Sequence, residues 1–316
     1  MKIAILDDYQ GVARELADWG GLPAGATVSF FHDTLADEDA LVARLAPFAI
    51  IGAMRERTPF PDSLLARLPD LKLIVTTGMK NAAIDVAAAN RRGITVCGTG
   101  SSAHSTAELA FALVLMLARD LYAQAASMRD GSWQVGLGHD VHGKTFGLVG
   151  LGRLGGAVAR MAQAFGMTVI AWSENLTEAR CAELGVGRAS KDDLLARADF
   201  VSIHLRLSDR TRGLIGAAEI ARMKPTASLV NTSRAPIVDT GALVAALVAG
   251  KLRSAALDVY DVEPLPADSP IRGVPGLLLT PHVGYVTRET YEIFYPQMVE
   301  AIAAFMAGSP IRVVSD

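Results

Sequence analysis

Residues 145–156 read TFGLVGLGRLGG. A short, largely apolar run of strand character leads into Gly150, Gly152 and Gly155, and helical periodicity then carries on from Arg153 to Phe165. The GxGxxG spacing is a weak signal alone. A strand before it and a helix after it give each glycine a physical role: Gly150 for the tight turn, Gly152 for approach of an anion to the backbone, Gly155 for close packing of helix on strand. The first amides of the helix would then face a pyrophosphate, with Arg153 and Leu154 beside the three glycines as candidate cofactor contacts.

The same grammar repeats on both sides of this segment. Upstream lie the apolar runs KIAIL, TVSFF, FAIIGA, LKLIVTT and ITVCG; downstream lie TVIAW, FVSIH, SLVNT, SAALDV and LLLTP, separated by stretches of helical period. Strands this apolar, without alternation, belong in parallel sheets covered by helices on both faces. At 316 residues the chain exceeds one ordinary core, so two α/β domains are expected. The reading is two doubly wound parallel-sheet domains: a flavodoxin-like one from residues 1–100 and 287–316, and an inserted Rossmann dinucleotide-binding one from 101–286. Residues 105–128 read as one long apolar helix, and Pro296 is expected to kink or divide the last helix, Thr287 to Met306.

Composition narrows the partners. A net charge of −3 with 20% charged residues gives no electrostatic footprint for nucleic acid or an anionic membrane, which leaves a small molecule as the expected partner. The two cysteines, Cys97 and Cys181, lack CxxC spacing, so no disulfide framework and no metal site is expected, and a reducing cytoplasm fits. The apolar run within MKIAILDDYQ is too short for a signal peptide, and the longest, Leu109 to Ala118, falls well short of the roughly 20 residues of a membrane span.

Other motifs are weighed by context. Gly138, Gly143, Lys144 and Thr145 satisfy GxxxxGK[ST], but KTFGLVG reads as a strand where a triphosphate-binding loop needs a helix, so a P-loop NTPase is a minor alternative. HDVH at 139–142 offers no third metal ligand. NTSRAPIVD places Arg234 just past an apolar strand, ALDVYDVEP carries Asp258 and Glu263, and TPHVG carries His282, each again at the end of an apolar run. In open α/β sheets such carboxyl ends face the ligand crevice. An arginine to hold a carboxylate, a histidine to supply a proton and a glutamate to pair with it suit reduction of an oxoacid.

Over essentially its whole length the sequence resembles the D-isomer-specific 2-hydroxyacid dehydrogenases, relatives of phosphoglycerate, glyoxylate and hydroxypyruvate reductases. By match to VNTSRAPIVD, LDVYDVEP and TPHVG, the resemblance implies that Arg234, Glu263 and His282 are catalytic and that Asp258 contacts the nicotinamide carboxamide. It implies that Met79 and Lys80, in TTGMKNAAID, belong to the loop whose amides hold the substrate carboxylate, and that Arg55, in GAMRERT, meets the substrate's far end; Arg234 and His282 would also touch it. Ser173, Leu205, Arg206, Thr232 and Ser233 complete the implied cofactor contacts. A homodimer joined through the coenzyme domain is implied, with the segment from Trp133 to His142 reaching the partner, and no regulatory domain is expected beyond Asp316.

The departures from the family pattern bear on the coenzyme. Ser173 stands where NAD-preferring relatives carry an aspartate, and Arg206 replaces the proline of His-x-Pro-Leu; Lys80 replaces a glycine and Ala235 another. Glu174 disfavours an added phosphate, so NAD(H) is the expected coenzyme and NADP(H) the alternative. The reaction expected is hydride transfer between nicotinamide and a small 2-oxo or 2-hydroxy acid. A dinucleotide-sensing interaction protein of the same fold is the alternative, disfavoured by the lack of long disordered extensions.

Overall fold

A computed structural model describes residues 1–102 and 104–315; Ala103 and Asp316 lie outside the described residues. The chain divides into two compact units, Met1–Ser102 with Val286–Asp316, and Ala103–Tyr285.

The first unit is built on β1 (Lys2–Ile5), β2 (Thr27–Phe30), β3 (Ile50–Ala53), β4 (Leu73–Thr76) and β5 (Thr95–Gly98), all parallel, in the order β2-β1-β3-β4-β5. Central β3 and β4 are buried at every residue, whereas edge strand β2 is half exposed, as a sheet covered on both faces requires. Helices α1 (Glu38–Leu45), α2 (Asp62–Leu65) and α3 (Val86–Arg91) connect the strands, with Asp37 and Asp85 accepting from the first-turn amides of α1 and α3.

The second unit carries the predicted strands as β6 (Thr145–Val149), β7 (Thr168–Trp172), β9 (Phe200–Ile203), β10 (Ser228–Asn231), β11 (Ser254–Leu257) and β12 (Leu277–Leu279), together with a two-residue edge strand, β8 (Gly187–Arg188), too short to leave a periodic signal. Their order is β12-β11-β10-β9-β6-β7-β8, again all parallel. That is the doubly wound dinucleotide-fold order with β6 as its first strand. The helices are α4 (Ser105–Ala118), α5 (Leu121–Arg129), α6 (Arg153–Ala164), α7 (Glu178–Leu184), α8 (Lys191–Arg197), α9 (Ala217–Ile220) and α10 (Thr240–Val248). The last helix, α11 (Arg288–Met306), returns to the first unit and packs on β4 and β5.

Of the helix expectations, the single helix over 105–128 is corrected, and so is the division of the last helix at Pro296. The stretch from 105 to 128 is two helices meeting at a 68° bend. Burial ends at Ala118, and the charged pair Arg119–Asp120 follows; Asp120 takes a left-handed φ of 50° and His139 N–H caps the Ala118 carbonyl, so the chain turns. Conversely, α11 runs undivided through Pro296, because Phe294, Tyr295 and Met298 around it are fully buried and fix the helix path. No single helix among the described residues is long and apolar enough to cross a membrane. Lys144 sits in a turn that leads directly into β6, not into a helix, so the GxxxxGKT match lacks the geometry of a triphosphate loop.

Candidate active site

In the second unit the carboxyl ends of six strands bring the predicted residues to one edge. At the end of β6, Gly150 has φ 109°, and a methyl group there would lie 2.7 Å from the His204 carbonyl oxygen. A methyl on Gly155 would lie 2.1 Å from Gly150 O, so this glycine is demanded by helix-on-strand packing. Gly152 caps α6 without a side-chain hydrogen bond, and nothing lies within 4 Å of the position its Cβ would occupy. The α6 amides therefore open onto free space on the side where the turn needs no side chain, which fits a pyrophosphate. Arg153 and Leu154 form the first turn behind them.

At the next strand ends, Ser173 follows β7, and Leu205 and Arg206 follow β9. Together with Glu174, Arg210, Thr211 and Leu214 they line a cavity of about 680 Å³. Directly after β9, the His204 ring meets Ser202 Oγ at 2.9 Å, and burial pushes its imidazole down to about 4.

Past β10 the chain turns sharply. Asn231 accepts from Ser233 N–H at 3.0 Å and donates to Arg234 O at 3.0 Å, while Ser233 Oγ donates to Leu205 O. Asn231, which sequence reading did not single out although it lies inside the quoted motif, thus shapes the turn that presents Arg234. Among the described residues Thr232 Oγ1 is buried with no hydrogen-bond partner. An orphaned buried hydroxyl at the strand ends is what a bound cofactor would satisfy. Arg234 is extended, with φ −146°, and its Nη1 donates to Ser233 O at 2.8 Å.

The ends of β11 and β12 carry a carboxylate–imidazole pair. Glu263 Oε2 meets His282 Nδ1 at 2.6 Å, and Glu263 Oε1 accepts from Tyr260 N–H at 2.9 Å. The glutamate is therefore held by backbone on one oxygen and holds the imidazole with the other. His282 is itself in a left-handed conformation, φ 52°, strain of the kind that collects at functional sites. Tyr260, also missed by sequence reading, hydrogen-bonds the Leu257 and Thr280 carbonyls and ties the two strand ends together; its phenol is pushed up by burial. Asp258 is 1% exposed and accepts from Thr280 Oγ1 at 2.6 Å and from the amides of Val283 and Gly284 at 2.8 and 2.9 Å. Burial raises its carboxyl against the lowering pull of those donors and of His282.

In the first unit the structure gathers the other predicted residues at the ends of β3 and β4. Arg55 is left-handed, φ 50°, pinned by its N–H to Thr77 Oγ1 at 2.9 Å and by Asn81 Nδ2 to its carbonyl at 2.6 Å. Its guanidinium donates to Thr77 O and lies so close to Gly78 that a methyl there would be 2.2 Å from Nη1. Met79 and Lys80 follow in that same loop, both exposed.

A parallel sheet in dinucleotide-fold order, with a glycine turn opening onto an uncapped helix and a carboxylate–histidine pair at neighbouring strand ends, defines a two-unit α/β protein of the dinucleotide-binding class. Comparison with known proteins makes the class specific. Residues 111–284 match the model of the "D-isomer specific 2-hydroxyacid dehydrogenase, NAD binding domain". A glyoxylate reductase of Korarchaeum cryptofilum is 38% identical over 257 residues, 79% of this chain and 77% of that protein. A D-3-phosphoglycerate dehydrogenase of Mycobacterium bovis is 39% identical over 275 residues, 86% of this chain but 52% of that protein, so the chain spans about half the length of such relatives. The crystal structure of a phosphoglycerate oxidoreductase from Vibrio cholerae superposes with a TM-score of 0.93 at 40% identity, covering 98% of this chain and 100% of that one. The chain belongs to the D-isomer-specific 2-hydroxyacid dehydrogenase family.

Proposed function

We propose that the protein catalyses hydride transfer between a nicotinamide dinucleotide, NAD(H) or NADP(H), and C2 of a small 2-oxo or 2-hydroxy acid. The observation that carries this reading is the 2.6 Å bond from Glu263 Oε2 to His282 Nδ1. The carboxylate on Nδ1 sets the orientation of the imidazole, and Nε2 is the nitrogen that exchanges a proton with substrate. When bound, the nicotinamide supplies or accepts the hydride. In the reducing direction His282 donates a proton to the oxygen that gains charge as C2 is reduced, and in the oxidising direction it takes that proton back. Arg234 orients the acid by charge-assisted hydrogen bonds to its carboxylate and carbonyl oxygens. In the first unit, the amides of the loop of Met79 and Lys80 are assigned to the substrate's carboxylate and Arg55 to its far end. Gly150, Gly152, Gly155, Arg153 and Leu154 cradle the pyrophosphate; Asp258, Thr232 and Ser233 serve the nicotinamide side.

Free, buried Cys97 and Cys181 accord with a cytoplasmic setting. We further infer a homodimer. Trp133, 70% exposed, and Leu137, 87% exposed, stand on the segment after α5 and would be covered by a second copy. The activity is tested by assaying the full chain against a panel of 2-oxo acids, glyoxylate and hydroxypyruvate among them, with NADH and with NADPH. Turnover of at least one is expected; none with either coenzyme overturns the reading.

A further inference from the structure

The cavity between the ends of β7 and β9 has an uneven wall. Its polar lining includes two guanidinium groups, Arg206 and Arg210, against one carboxylate, Glu174, with Ser173 at the strand end and Trp172, Leu205 and Leu214 as apolar surface. In a dinucleotide fold the position about 20 residues past the glycine turn meets the adenosine ribose: an acidic side chain there takes the 2′-hydroxyl, whereas a nearby arginine accommodates a 2′-phosphate. Here that position, the first after β7, is Ser173, neutral and able to donate. Glu174 beside it is exposed.

The arginines are mounted rather than loose. Thr211 Oγ1 donates to Arg206 O at 2.7 Å and accepts from Ser208 N–H at 2.8 Å, and Thr211 N–H bonds Ser208 O at 3.0 Å, closing residues 206–211 into a tight turn. Ser233 Oγ holds the preceding Leu205 carbonyl. The backbone that carries both arginines is therefore fixed on two sides. Neither side chain has a carboxylate partner among the described residues, whereas Arg180, Arg188, Lys191, Arg197, Arg222 and Lys224 of this unit each pair with an acid. Arginine is the residue suited to planar, bidentate recognition of phosphate oxygens. The sequence expectation of NAD(H) weighed Glu174 against Arg206 alone. Arg210, four residues on, joins Arg206 only once the turn is closed, and it shifts the balance of charge in the wall to positive.

We propose that this cavity is a 2′-phosphate-binding adenosine site, in which Arg206, Arg210 and Ser173 select NADP(H) over NAD(H). The inference rests on the dinucleotide reading above, and adenosine fragments separate the two. The full chain is titrated calorimetrically with 2′,5′-ADP and with 5′-AMP, for the wild type, Arg206→Ala/Arg210→Ala and Glu174→Gln, each shown to be folded by circular dichroism. The wild type is expected to bind 2′,5′-ADP about tenfold or more tighter than 5′-AMP, as paired charge-assisted contacts give. The double variant should lose that gap with 5′-AMP affinity changed by no more than about twofold, since the apolar wall stays, and Glu174→Gln should widen it. The kcat/KM ratio of NADPH to NADH should follow the same order. Equal affinity for the two fragments in the wild type, or a gap untouched in the double variant, overturns the 2′-phosphate site and leaves the dinucleotide reading standing. Failure of both fragments to bind at millimolar concentration overturns both.

Discussion

His282 and Glu263 show how much one side-chain pair can carry. A glutamate whose Oε1 is held by Tyr260 N–H cannot rotate away without losing a backbone bond, so its Oε2 stays on His282 Nδ1. His282→Ala is expected to lower the rate of 2-oxo acid reduction by roughly 10²- to 10⁴-fold, the range for loss of a positioned general acid. Coenzyme affinity, followed by fluorescence titration, should stay near that of the wild type; near-normal turnover in the folded variant would remove His282 as proton donor. Burial pushes the His204 imidazole down to about 4 from an ordinary 6.5. The native state stays neutral where the unfolded chain takes up a proton, so stability is lost as pH falls from about 6.5 to about 4. His204→Asn should flatten that part of the profile of unfolding free energy against pH in urea titrations, and an equal slope in both proteins would count against the assignment. The placement of Arg234, Glu263 and His282 at strand ends was legible in sequence because each sits in a short motif that ends an apolar strand. Tyr260 and Asn231 were not, since their work is to hold backbone, and nothing in a tyrosine or asparagine between strand and loop announces that.

The glycine turn and α6 act as one element, and two of its glycines separate folding from binding. A methyl on Gly155 meets Gly150 O at 2.1 Å and Gly150 C at 3.1 Å, backbone on both counts, so Gly155→Ala must push α6 off β6. We expect about 1–3 kcal/mol of lost stability, the usual cost of overpacking, seen as a lower melting temperature. Gly152→Ala meets nothing within 4 Å, at an ordinary φ of −79°. It should melt with the wild type yet bind dinucleotide several-fold more weakly, because its methyl takes the space the pyrophosphate needs. An unchanged affinity in Gly152→Ala would show that the phosphates lie elsewhere. Among elements, the strands were readable because an apolar run is a local property; the bend between α4 and α5 was not, because apolar residues resume at Leu121 after Arg119–Asp120 while the turn depends on His139 N–H reaching back to cap the Ala118 carbonyl.

At the scale of the whole molecule, the exposed apolar side chains of Trp133 and Leu137 give the dimer a specific test. Sedimentation at micromolar concentration is expected to show twice the 33.3 kDa chain mass, and Trp133→Ser/Leu137→Ser to shift the protein toward monomer. A monomeric wild type would dismiss the proposed interface. The amino-acid sequence by itself determined the fold class, the parallel character of both sheets, the glycine turn and the placement at strand ends of the three residues of the proposed chemistry. These are carried by periodicity and short motifs, which need no knowledge of distant neighbours. Only tertiary structure decided which strand ends stand side by side, and hence that Arg210 joins Arg206 and Ser173 on one cavity wall, that Thr232 Oγ1 is buried without a hydrogen-bond partner among the described residues, and that Tyr260 ties β11 to β12. Strand order is set by long-range packing, so a residue's neighbours across a sheet edge are invisible until the sheet is assembled.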